Sequence, residues 1–94
     1  VEFSRESHLR KVLYEAPGTK ALLICFEAGQ AVLPCVMDSL VYFVVLEGTG
    51  CLVAGTESRE LKAGVMVVVP PGLERKIEAG SRLVILAVQV RRDV

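Results

Sequence analysis

The chain has 94 residues, of which eleven are basic and eleven acidic, so its formal charge at neutral pH is zero. That balance provides no field to hold DNA, RNA or an anionic membrane surface, and neither nucleic acid nor membrane is expected as a partner. Hydrophobic residues make up 52% of the chain, more apolar surface than the modest core of so short a domain can hide, and a second copy of the chain is the expected cover.

In chain order, apolar and β-branched runs recur at short intervals and each is closed by turn chemistry. Residues 7–14 end in VLY before Ala16-Pro17-Gly18, which favours a strand over a helical turn. TKALLICF runs into Glu27-Ala28-Gly29, and LVYFVVL runs into Glu47-Gly48-Thr49-Gly50. The runs that follow stop at Ala54-Gly55-Thr56, at Lys62-Ala63-Gly64, at Pro70-Pro71-Gly72 and at Glu78-Ala79-Gly80, and LVILAV closes the series. Short strands at regular spacing with glycine-rich turns predict an all-β sandwich or barrel, with residues 1–94 as a single domain. TKALLICF, LVYFVVL, VMVVVP and LVILAV are apolar on both faces, whereas a sheet with one wet face would alternate. One face is therefore expected to line the interior and the other to pack on a second sheet or a second subunit. Leu23, Cys25, Tyr42, Val44 and Leu46 are the expected outward contacts of a homodimer.

The three cysteines, Cys25, Cys35 and Cys51, cannot all pair within one chain, and none sits in a CxxC. They read as reduced, buried thiols of a cytoplasmic protein. No charged leader followed by an apolar core and cleavage site is read in the chain, and glycine, proline or charge interrupts each apolar run well short of a membrane span. The local charge excess at Arg10 and Lys11, and at Arg91 and Arg92, reads as solvated surface.

Gly29 is followed after five residues by Cys35-Val36-Met37, then after three by Val41, then after six by Gly48. Gly64 is followed after five residues by Pro70-Pro71-Gly72, then after two by Arg75, then after three by Ala79. In these spacings the sequence resembles a small single-domain cupin, whose first motif places His-x-His and then Glu between two glycines, and whose second places His and then Asn after Pro-x-Gly. The two motifs together span about half the chain. The resemblance implies a jelly-roll barrel, the cupin double-stranded β-helix. It also implies that the positions of the family's metal ligands read Cys35, Met37, Val41 and Arg75 here, so that none of the usual set is present and no cofactor is expected.

Carried over by position, the inward set is Ala31, Leu33, Cys35 and Met37, then Val41, Phe43 and Val45, then Leu73, Arg75 and Ile77. It amounts to an apolar cup with one cation. Cys35, Met37, Val41, Phe43 and Arg75 are the candidate ligand-binding residues, and Arg75 is the anchor for a small apolar or anionic ligand. Against that role, Arg75 could pair with Glu27, Glu47 or Glu74, or reach into water. The function expected is a small-molecule-binding or regulatory module with no catalytic residue, because no acid or base is read near the inward set. Two alternatives stay open: a metal-free isomerase or lyase acting on a small anionic substrate, and a copper site using the soft sulfurs of Cys35 and Met37. Nothing in the sequence directs the single histidine, His8, inward, and alternation from Gly48 sets Cys51 on the opposite face.

Overall fold

The computed structural model describes residues 3–91. Among them are nine strands and no helix: β1 Leu9–Ala16, β2 Thr19–Phe26, β3 Ala31–Cys35, β4 Leu40–Glu47, β5 Thr49–Ala54, β6 Glu57–Lys62, β7 Met66–Val69, β8 Arg75–Ala79 and β9 Leu83–Val90. Arg92 lies outside the described residues. Every turn read from the sequence falls between two of these strands. Gly18, Gly29, Gly48, Gly55, Gly64 and Gly72 sit at φ values between 59° and 92°, where a side chain is strained. Gly48 has a second reason to be glycine, since a Cβ there would lie 1.8 Å from the carbonyl oxygen of Arg82.

The strands form two antiparallel sheets, in the order β1-β2-β9-β4-β7 and β3-β8-β5-β6. β9 is the centre of the larger sheet, paired along its length with β2 on one side and β4 on the other. This position explains why LVILAV carries no polar alternation: Leu83, Ile85 and Ala87 enter the core, while Val84, Leu86 and Val88 face the other way. Leu52, Leu61, Ile77 and Ala79 of the second sheet meet Phe26, Leu22, Val41, Phe43 and Val45 of the first in one core.

The outer face of the larger sheet is less well covered than its inner face. Two rows of cross-strand neighbours run over it, Leu23, Leu86, Val44 and Met66 in one and Ala21, Val88, Tyr42 and Val68 in the other. Met66, Val68 and the nearby Leu46 are 59%, 44% and 50% exposed. Of the outward residues read from the sequence, Leu23, Tyr42 and Val44 are half-buried. Cys25 corrects the expectation: it is buried within the chain, beside the buried Val84 in register, and is no contact residue.

Candidate ligand-binding cavity

Between the sheets the core is not filled to both ends. A cavity of about 160 Å³ is lined by Leu22 and Ile24 of β2, Val32 and Cys35 of β3, Val41 and Phe43 of β4, Arg75 and Ile77 of β8, and Ala87 and Gln89 of β9. Met37, His8 and Arg10 complete the lining. All five candidate residues read from the sequence thus meet around one space. The cause of the hollow is legible on β9, where Ala87 stands between Leu22 and Phe43 in register and is smaller than the Leu83 and Ile85 that fill the interior further along.

Arg75 begins β8 directly opposite Cys35 of β3 in register, and only 2% of its surface is exposed. It donates from Nε and Nη2 to the carbonyl oxygen of Leu73, at 3.3 and 3.1 Å, and from Nη2 to the carbonyl oxygen of Pro70 at 3.4 Å. Nη1 is sealed from water and has no acceptor. None of the carboxylates offered as alternatives is its partner: Glu27 takes Arg82, and the Arg75 bonds go to main-chain carbonyls of the Pro70–Leu73 turn. Burial holds the guanidinium below the usual arginine range, with Cys35 acting in the opposite direction. A buried donor without a partner costs about 1–3 kcal/mol, and more when it is charged.

Cys35 and Met37 both reach the cavity, although not as two residues of one regular strand. β3 ends at Cys35, and its pairing with β8 slips between Val32 and Cys35, around Pro34. The slip changes the inward parity. Val32 faces in with Cys35, while Ala31, expected inward, is exposed and pairs with Glu78 on the outer face. Leu33, expected inward as well, carries no description of its side chain. Leu73, expected inward, packs on the core and borders Gly55 but does not line this cavity. Met37 is fixed through its main chain, whose carbonyl accepts a hydrogen bond of 2.9 Å from the Gly72 amide. Its sulfur takes a long contact of 3.9 Å from Nε2 of Gln89. The same two side chains line an open, more polar groove with Lys20, Asp38 and Ser39, so they form the partition between groove and cavity.

Seven lining residues lie outside the inward set read from the sequence, four of them apolar (Leu22, Ile24, Val32 and Ala87) and three polar: His8, Arg10 and Gln89. The stretch before β1 has no apolar period to orient it. Pairing of Arg10 with Ile24, which faces the core, shows the face that the alternation His8, Arg10 shares. His8 stacks on Phe26 with ring centroids 5.4 Å apart and planes at 26°. Burial and the nearby Arg10 hold its imidazole below the usual value. Cys51 lies on the outer face of the second sheet as read, opposite Glu60 and Glu78, with its sulfur 3.4 Å from the Ser58 hydroxyl.

The arrangement matches known structures closely in shape. A cupin superfamily protein of Desulfitobacterium hafniense superposes with a TM-score of 0.91 at 16% identity, over 97% of this chain and 84% of that one. A RmlC-like cupin of Desulfovibrio desulfuricans gives 0.87 at 22% identity, over 96% and 88%. This chain folds as a cupin. A salicylate 1,2-dioxygenase of Pseudaminobacter salicylatoxidans also superposes, with a TM-score of 0.84 at 20% identity, over 90% of this chain but 26% of that enzyme. No family model matches the chain, and no curated protein matches it in sequence.

Cys35, Met37, Val41 and Arg75, brought together around this cavity, are two sulfurs, a hydrocarbon and a cation bonded to the turn carbonyls. Val41 coordinates nothing, and the guanidinium of Arg75 repels a metal ion, so this set does not fit the divalent ion that imidazoles and a carboxylate would hold. Among the described residues no group of three His, Cys, Asp or Glu side chains converges on a point. Cys35, Met37 and His8 share the cavity wall as soft donors, but they share it with Arg75. Among the described residues no helix is long and apolar enough to cross a membrane.

Proposed function

We propose that this cupin is a binding module for a small, largely apolar molecule bearing one carboxylate or phosphate group, with Arg75 as the anchor and Met37, Val41 and Phe43 as the apolar walls. In this reading, the metal chemistry usual at these positions is replaced by anion recognition. One observation carries it: a nearly fully buried guanidinium, with one nitrogen lacking any acceptor, stands in the wall of an apolar cavity. A volume of about 160 Å³ corresponds to about five waters at ~30 Å³ each, which restricts the ligand to the size of a small organic acid. Ligand-observed NMR against a panel of short carboxylates and phosphates is the test. Binding by the native chain and its loss in Arg75→Met is the expected result, and binding that is unchanged in the variant overturns the anchor.

A second reading is a metal-free isomerase or lyase on the same small anion, and one observation favours it. His8 lines the cavity, so an acid-base group is present in the wall that holds the anchor. Turnover of a bound acid that disappears in His8→Gln while binding persists would select this reading over the first.

The module is proposed to work as a homodimer, with the outer face of the larger sheet against a second copy. The support is the pair of apolar rows over that face, ending in the exposed Met66 and Val68. Sedimentation at micromolar concentration should give a dimer that Val44→Lys dissociates, and a monomeric native chain removes the proposal.

A further inference from the structure

The cavity wall holds one thiol. Cys35 is exposed, lines the cavity and is the register partner of Arg75 across the β3–β8 pair. Directly opposed residues on antiparallel strands bring their side chains to about 4.5–5.5 Å at Cβ. A carboxylate held by the guanidinium of Arg75 is thereby placed with its adjoining carbons beside the Cys35 sulfur. The other two cysteines have no such neighbour: Cys25 is buried in the larger sheet, and Cys51 lies opposite Glu60 and Glu78, which would repel an anion.

The geometry points to Cys35 as a covalent capture site for small carboxylic acids that carry an electrophilic carbon one or two bonds from the carboxylate carbon, with Arg75 holding the acid while the sulfur reacts. This rests on the anion-binding reading above and adds a bond-forming step to it. With an α-halo acid, sulfur forms the S–C bond as the halide leaves with its electron pair, and the thiol proton passes to water. With an α,β-unsaturated acid, the S–C bond forms at the β-carbon and a proton from the thiol or from water ends on the α-carbon. Neither step needs a metal or an oxidant. The acceleration comes from confinement of two reactants in one cavity.

Iodoacetate and iodoacetamide separate this effect from ordinary thiol exposure, because they differ in charge and share the electrophilic methylene. Modification of Cys35 is followed by peptide mass spectrometry, with 2-mercaptoethanol in the same solution as an uncharged reference thiol. The ratio of Cys35 to reference modification should be roughly ten-fold higher for iodoacetate than for iodoacetamide, as expected of a modest effective concentration. Arg75→Met should bring the two ratios together. Should that variant not fold, unreactive propionate serves on the native chain, where it should slow iodoacetate at Cys35 and leave iodoacetamide unaffected.

Equal ratios for the two reagents in the native chain overturn the proposal, as does a preference for iodoacetate that persists in folded Arg75→Met or is insensitive to propionate. Propionate binding to Cys35→Ser, read by NMR, separates the two levels of the argument. Binding there, combined with equal ratios, leaves the anion site standing and removes covalent capture. No propionate binding by either chain removes both.

Discussion

The two ends of the barrel interior are built from the same strands and behave differently. At one end Phe26, Leu83 and Val45, with Leu61 and Leu52 of the second sheet, are fully buried and close the space between the sheets. At the other, four residues away on the strands of the first three, Leu22, Ala87 and Val41 leave a cavity. The backbone pairing of β2, β9 and β4 continues through both ends, so the difference lies in side-chain volume and in the one buried charge. The filled end stabilises the fold, and the hollow end gives up contacts to make room. Truncation at the filled end should therefore be the more damaging. Phe26→Ala is expected to cost about 3–5 kcal/mol in urea unfolding, whereas Met37→Ala, at the half-buried partition, should cost less than about 2 kcal/mol. Comparable losses for the two would mean that the ends do not differ as described.

Arg75 sharpens the comparison, because its substitution should move stability and binding in opposite directions. Replacing a buried cation that lacks an ionic partner by an apolar side chain of similar length is expected to raise unliganded stability by about 1–3 kcal/mol. Arg75→Met should unfold at higher urea concentration than the native chain and lose affinity for small acids. A variant that is destabilised would show that the bonds to Leu73 and Pro70 outweigh the orphaned nitrogen and the desolvation.

The sequence carried the strands and their turns with little ambiguity because six of the turns use a glycine at a φ that only glycine adopts freely. Spacing between those glycines also brought Cys35, Met37, Val41 and Arg75 to one wall, since the separations measure strand lengths. What alternation could not carry was parity across an irregularity. The slip near Pro34 turned Val32 inward in place of Ala31, and period-two counting has no means to register an extra residue. His8 and Arg10 were lost for a related reason: a polar residue on an edge strand reads as solvated, and only the pairing of Arg10 with Ile24 reveals that β1 continues the inner wall beyond the packed core. The pairing state of Arg75 was undecidable from composition, because Glu27, Glu47 and Glu74 were all within plausible reach in sequence and only the fold assigns Glu27 to Arg82.

If residue size on β9 is what hollows the barrel, then filling it should convert one end into the other. Ala87→Leu adds three carbons at the centre of the cavity wall, between Leu22 and Phe43. Stability should change by less than about 1.5 kcal/mol, because gained contacts and crowding offset each other, while binding of any small acid disappears. The informative pair is unfolding and ligand-observed NMR on the same preparation. Retained binding in a folded Ala87→Leu chain would place the ligand elsewhere than in this cavity.

The smallest expected effect tests whether the His8 imidazole is buried against Phe26. Burial and Arg10 lower its folded pKa below the usual 6.5. Between 6.5 and that lower folded value, the unfolded chain takes up a proton that the folded chain refuses, so stability should fall as pH drops through the window and level off below it. Glu27, held low chiefly by its hydrogen bond from Arg82, produces a fall of the same sign only from about its usual 4.5 downward, below the pH range of the comparison that follows. His8→Phe keeps a ring against Phe26 and has no proton to gain, so its melting temperature between pH 7 and 5.5 should vary less than that of the native chain. An identical slope in the variant would assign the titration to another group and place the His8 imidazole outside the buried wall.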